Sequence, residues 1–503
     1  MQCSSIKSSE KNGDLSFLGQ EATQWRDIPK EPIVYAPKSE TTLLVGGLTL
    51  LQDKLIASAL RSIGENFTAL PNPTFASFQT GKAFGNRGQC NPTYFTVGNL
   101  IKYLQNLQST HQLSAKEIVQ KYAYMTAGGC GPCRFGMYIT EYKKALRDAG
   151  FEGFRLVSFE HDKGIFQGEA DTEQLLNLSP TFFMVLVKAI IIGDILNILG
   201  YKMRPYELTS GATNKALEHC RLIVAEAFEA KKNLTKALWH CRNVLKEVTL
   251  NRLQPKPKVM VMGEFWAAMT EGDGNYNLHR FLEEQGAECI PQPVVNRLML
   301  SIWEAQQQRE KTQTLAVETE KTIDFSNVKS RLLIGLAKVS VQTYFSLYAK
   351  AIGLHDYEIP HMQKLADLAK EYYTLECDGG EGHLEVAHLI ESVKENLSHL
   401  TLSVKPFGCM PSSAVSDGIQ TLVTHHYPQA NFLSIETSGE GAANFYSRVQ
   451  MALFKAKKAA KEEFEALESH TQLPEKYNHY LYQPKNEKIG SAATLLHDFS
   501  SSF

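Results

Sequence analysis

Four cysteines of this chain lie in loops rich in Gly and Pro where a strand gives way to a helix: Cys90 in FGNRGQCNPTYF, Cys130 and Cys133 in GGCGPC, and Cys409 in FGCMPSS. The first backbone N–H groups of a helix have no internal partner. Together with the helix dipole they favour a thiolate or an anionic metal cluster. CxxC lets two sulfurs reach one metal from a single turn, and Cys90 and Cys409 would join it from separate elements at the carboxyl ends of parallel sheets. Four thiolates complete a 4Fe-4S cluster or a structural zinc site. Spacing does not separate the two, although ligands scattered over most of the chain suit a cluster held between lobes better than zinc knuckles.

CGPC has a second reading as a thioredoxin-type redox pair, with SPT (179 to 181) in the place of the proline loop. KEIVQKYAYMTAGG reads as helix followed by loop rather than as the strand that reading requires, which argues against it. Cys220 and Cys241 fall on apolar helix faces, Cys289 in a strand and Cys3 in the polar start, and Cys377 precedes GGEGH as a fifth thiol near the cluster or a chance neighbour. A zinc site from the His219-Cys220 and His240-Cys241 pairs is disfavoured, because adjacent helical residues point about 100° apart.

Around these loops stand groups able to move protons or cap helices. Glu264 follows a strand, Glu436 lies in the loop IETSGEGAANF, and Ser412 and Ser413 follow Cys409 at a helix start. Arg134 follows the CxxC, where it could stabilise an anionic cluster. Glu440, Glu271 and Asp273 lie in acidic Gly loops. His383 reads as a loop histidine, and His425 with His426 as a solvated helix end. No GxxxxGK[ST] occurs and acidic loops repel phosphate, so this chain is expected to bind no nucleotide.

The elements that position these residues are those of an α/β protein with two or more flavodoxin-like or Rossmann-like parallel-sheet lobes, a helical insert and the cluster between the lobes. Residues 1–40 read as an extended arm and 41–170 as a first lobe with the Cys90 and CxxC loops. Residues 171–255 read as a helical insert, 256–471 as a second α/β region with the Cys409 loop, and 472–503 as a tail. The 503 residues carry 52 basic and 54 acidic side chains, a formal charge of −2, so the overall field attracts neither nucleic acid nor an anionic membrane. Nine cysteines and a start without an apolar stretch point to a reducing cytoplasm. The apolar run from Phe182 to Leu199 is interrupted by Lys188, Gly193, Asp194 and Asn197, which favours a buried helix over a membrane span.

FGNRGQCNPTYFTVGNL, GGCGPCRFGMY, GDILNILGYKMRPYE, GEFWAAMTEGDGNYNLHRFLEEQGAE, GGEGHLEV, and FGCMPSSAVSDGIQ with IETSGEGAANFYSRVQMAL together resemble the 2-hydroxyacyl-CoA dehydratase and benzoyl-CoA reductase superfamily. The likeness is to the iron-sulfur portion of its large activase-related proteins and covers roughly 41 to 460. It implies that Cys90, Cys130, Cys133 and Cys409 ligate a 4Fe-4S or 8Fe double-cubane cluster. It also implies an ATP-hydrolysing activase with its own 4Fe-4S cluster as electron donor, a small-molecule substrate and a homodimer. Activase domains fused upstream in the large relatives have no counterpart here. The expected function is reductive chemistry driven by low-potential electrons, with a dehydratase-type lyase and a non-catalytic electron carrier as alternatives.

Overall fold

The computed structural model describes residues 32–128, 133–160, 175–176, 178–251, 254–318, 325–355, 357–376 and 380–470. Eight strands form two four-stranded sheets, all parallel. The first holds β1 (Thr42–Val45), β2 (Phe67–Ala69), β3 (Tyr122–Gly128) and β4 (Arg155–Glu160) in the order β2-β1-β3-β4. The second holds β5 (Lys258–Gly263), β6 (Glu288–Ile290), β7 (Leu400–Pro406) and β8 (Phe432–Thr437) in the order β6-β5-β7-β8. The two lobes thus repeat one topology. In each, the strand order reverses between the first and third strands, and ligands of such sheets bind at the carboxyl ends beside that reversal.

Parallel strands need long crossovers, and the chain supplies helices with explicit start signals. Helix α1 (Leu50–Arg61) begins at a Thr49–Gln52 capping box, α2 (Phe75–Phe84) at a Thr74–Ser77 box and α4 (Ala115–Lys121) at a Ser114–Glu117 box. Helix α3 (Asn91–His111) packs on α2 almost backbone to backbone: a side chain at Gly81 would collide with the Tyr94 carbonyl, and one at Gly98 with the Ser77 carbonyl. This close hairpin fixes the loop carrying Cys90. The loop is shorter than the sequence suggests, because residues 81–84 and 91–95 are helical.

Helix α5 (Tyr138–Asp148) completes the first lobe. The insert is helical as expected, with α6 (Pro180–Met203), α7 (Ala212–Glu229) and α8 (Leu234–Lys246). Short helices α9 (Phe265–Met269) and α10 (Leu278–Glu284) follow β5, and α11 (Val294–Glu318), α12 (Phe325–Ile352), α13 (Met362–Ala369) and α14 (Gly382–Lys394) intervene between β6 and β7. After β7 come α15 (Met410–Ala414), a π-turn (Val415–Ile419) and α16 (Gln420–His426), and α17 (Ala442–His470) follows β8.

Both faces of the first sheet are covered: Leu43 and Val45 of β1 join a central core with the insert, while Leu44 joins the opposite core with α3 and α5. A third core lies over the second sheet. Among the described residues, two helices are long and apolar enough to cross a membrane by length and composition, Pro180–Tyr206 and Lys329–Ile352. The first contributes Ile191, Ile192, Ile195 and Leu196 to the central core.

The lobes are joined by specific contacts. Phe95 and Trp266 pack with centroids 5.6 Å apart. Asp273 Oδ2 accepts a hydrogen bond from Phe75 N (2.7 Å) and Glu271 Oε2 one from Leu50 N (3.1 Å), so acids of the second lobe cap helices of the first. Asp194 of the insert accepts from Gln52 Nε2 (2.7 Å), Val294 N (3.0 Å) and Val295 N (2.7 Å).

Candidate metal centre

Cys90, Cys133 and Cys409 each stand at the cap position of a helix: Cys90 before α3, Cys133 before the 3-10 turn Arg134–Met137 that leads into α5, and Cys409 before α15. Two of these loops follow the third strand of their lobe, and Cys90 reaches the same place from the α2–α3 hairpin. Asn91 N donates to Phe407 O (3.2 Å) and Asn91 Nδ2 to Thr437 O (2.6 Å). Gly408 has a φ of +80°, and a Cβ there would lie 3.4 Å from Cys90 Cα. The loops of the two lobes therefore touch where Cys90 and Asn91 meet Phe407 and Gly408. Cys130 and Cys377 lie outside the described residues.

Cys90 and Cys409 are buried, and Cys133 is partly so. Phe135 N donates to Cys133 Sγ at 3.5 Å, and Cys90 Sγ lies 3.2 Å from both Thr93 Oγ1 and Tyr138 OH. Burial, then the charges of Glu264, Glu381 and Cys90, pushes the Cys133 thiol up to about 11 against the lowering bond from Phe135. Burial and Glu264 push Cys409 higher still, opposed by hydrogen bonds from Ser412. The free protein accordingly holds these groups as thiols. A bound metal reverses that balance, because a coordinating thiol gives up its proton.

Three carboxylic acids face the thiols. Glu264 caps α9 through Ala267 N (2.8 Å), and burial with the neighbouring Glu381 raises it to about 7. Glu385 lies 2.9 Å from Ser412 Oγ and is raised to about 8, chiefly by burial. Glu381 is raised by burial against the lowering charge of Arg297, whose Nε stands 3.5 Å away. Carboxyl groups titrating near neutrality can both give and take a proton.

Of the residues singled out from sequence, Glu264, Ser412, Cys90, Cys133 and Cys409 come together here. Arg134 opens the turn after Cys133, half-buried, and Ser413 N bonds back to Cys409 O (3.3 Å). Glu436 is exposed on β8, and its place beside the thiols is taken by Glu381 and Glu385, which the GGEGHLEV motif carries four residues apart on one helix face. His383 is not a solvated loop residue: it lies buried in α14 against Trp303, and burial lowers it to about 4. One signal in the sequence marks the site directly. Cys-x-Pro followed by Thr, Cys or Ser recurs as CNPT, CGPC and CMPS, each leading into a helical turn.

The donor set is soft sulfur, which suits iron-sulfur or zinc better than a hard cation. Among the described residues no group of three His, Cys, Asp or Glu forms a metal-holding cluster. A cavity lined by Thr49, Gln52, Asp194, Asn197, Tyr201, Met269 and His279 lies between insert and lobes, and it includes none of Glu264, Ser412 or Glu436. One argument against a thioredoxin-type pair is corrected: Tyr122–Gly128, where the sequence suggested helix and then loop, is strand β3. Tyr122 and Tyr124 give that stretch the alternation of a strand, which the three-and-four spacing of KEIVQKY obscures. Compared with known proteins, the chain matches no family model and no curated protein.

Proposed function

We propose that this chain is a cytoplasmic iron-sulfur protein of the kind found in the 2-hydroxyacyl-CoA dehydratase and benzoyl-CoA reductase superfamily. It accepts low-potential electrons from a separate ATP-hydrolysing activase and uses them to reduce a small molecule. The observation that carries the reading is that Cys90, Cys133 and Cys409 each cap a helix on loops which two lobes of one topology bring toward each other, Gly408 lying against Cys90 and Cys133 within electrostatic reach of Cys90. Cys130 would complete the set from the CxxC turn.

A bound cluster would supply one-electron transfer. The residues of the chain supply the rest. The helix starts offer N–H donors to the sulfurs. Glu264 and Glu385, raised toward neutrality by burial, hold protons beside the thiols and favour a substrate-transforming role over simple electron carriage. Ser412 links Glu385 to the Cys409 loop.

The test is a reductant series on protein purified without oxygen, followed by electron paramagnetic resonance. A cluster serving low-potential chemistry stays oxidised with ascorbate and is reduced only by strong donors such as europium(II). Full reduction by ascorbate, or no cluster signal with any donor, overturns the proposal.

A further inference from the structure

Cys90-Asn91-Pro92-Thr93 and Cys409-Met410-Pro411-Ser412 repeat one local arrangement, with the cysteine at the cap, proline at the second helical position and a hydroxyl at the third. At Cys90 the hydroxyl turns back to the sulfur. Thr93 Oγ1 lies 3.2 Å from Cys90 Sγ, whereas the Ser412 hydroxyl donates to Glu385 Oε1 (2.9 Å). A second hydroxyl reaches Cys90: Tyr138 OH, also at 3.2 Å. Tyr138 is the first residue of α5, just beyond the Cys133 turn, and its ring is buried and packed edge-on against Phe135 at 5.1 Å.

A neutral thiol is both a weak donor and a weak acceptor, so two buried hydroxyls around one gain little and lose their water. A ligand thiolate is a strong acceptor and makes charge-assisted bonds with both. The arrangement suits a sulfur that carries negative charge when the site is filled.

We infer that Thr93 and Tyr138 donate hydrogen bonds to the ligand sulfur of Cys90, and that these bonds set the reduction potential of the bound cluster. The inference rests on the cluster reading of the same cysteines. Donors to a ligand sulfur draw density from it and stabilise the more negative, reduced state. Thr93 and Tyr138 are positioning residues: they touch the ligand and leave the metal to it.

The experiment is a redox titration monitored by electron paramagnetic resonance on oxygen-free wild type, Tyr138→Phe, Thr93→Val and Thr93→Ser, with iron and acid-labile sulfide measured on each. Tyr138→Phe and Thr93→Val should keep their iron and shift to a more negative midpoint, while Thr93→Ser, which retains the hydroxyl, stays at the wild-type value. Unchanged midpoints with iron retained in the first two overturn this inference alone. Iron lost from Thr93→Val and Thr93→Ser alike makes Thr93 structural and also overturns it. Wild type without iron overturns the cluster reading, and this one with it.

Discussion

Six cysteines lie among the described residues, and they divide into two kinds. Cys220 and Cys241 face each other between α7 and α8, each Sγ 3.6 Å from the other's carbonyl oxygen, and Cys289 Sγ lies 3.8 Å from His279 O. These sulfurs donate to carbonyls inside apolar cores, a role only a thiol can fill. Cys90, Cys133 and Cys409 are surrounded instead by N–H and O–H groups and by acids. Burial does not distinguish the two kinds, since Cys90 at 7% and Cys409 at 8% exposure are nearly as enclosed as Cys220 at 0%. Position does. A helix interior offers sulfur no free donor, whereas a helix start offers several.

The comparison breaks most sharply in metal content. Cys90→Ser, Cys130→Ser, Cys133→Ser and Cys409→Ser should each lose most bound iron while circular dichroism shows the fold intact. Cys220→Ser should keep its iron and lower stability by about 1–3 kcal/mol through a buried hydroxyl, read by urea unfolding. Iron lost from Cys220→Ser with its fold intact would dissolve the distinction.

The next largest effect concerns the contact that holds the two lobes together. Trp266→Ala removes the ring that packs on Phe95 across the lobes and should cost roughly 3–5 kcal/mol, measured in the same unfolding assay. A cost under about 1 kcal/mol would show that the lobes do not depend on this contact.

Acidity separates the regions again. Burial, aided by the charge of Arg204, lowers His279 to about 4 in the folded chain from an ordinary 6.5. The folded chain therefore keeps this ring neutral where the unfolded chain takes up a proton, and acid favours unfolding. The stability tied to the neutral ring is complete above the unfolded value and is lost as pH falls from about 6.5 to 4, on the order of 3 kcal/mol at most. His279→Gln should flatten this slope. Glu385, raised to about 8 beside the thiols, acts with the opposite sign: its contribution is complete below about 4.5 and is lost as pH rises through 8. Glu385→Gln should therefore flatten the opposite slope between about pH 4.5 and 8. Unfolding curves across this pH range check both, and identical pH profiles in the two variants would contradict the assignment.

The smallest effect is at a single cap. Asp273→Ala removes the acceptor of Phe75 N and should cost about 1 kcal/mol, with iron content unchanged.

The two lobes were readable from sequence because TTLLV, KVMVMG, LTLSV and FLSIET are short apolar or β-branched runs bounded by Gly-rich turns. The core cysteines were readable from helical spacing, and His219 and His240 are exposed where their cysteine neighbours are buried. Other features were hidden for identifiable reasons. The Gly-rich stretch before Cys90 reads as loop, yet Gly81, just ahead of it, serves the close approach of α2 to α3. Glu381 and Glu385 sit in a Gly-rich stretch whose acids look like surface capping until β7 and α15 bring Ser412 against them. Glu436 follows the alternation of edge strand β8, which buries Ile435 and Thr437 and turns Glu436 outward.

The central claim is that the helix-start thiols hold an iron-sulfur cluster, and metal analysis of protein purified without oxygen tests it most directly. Iron and acid-labile sulfide should be present in equal amounts, about four of each per chain for one cubane or about eight of each for a double one. Zinc in their place, or no metal together with a reversible Cys130–Cys133 disulfide, would contradict the account and leave a structural or thiol-exchange site on the same fold.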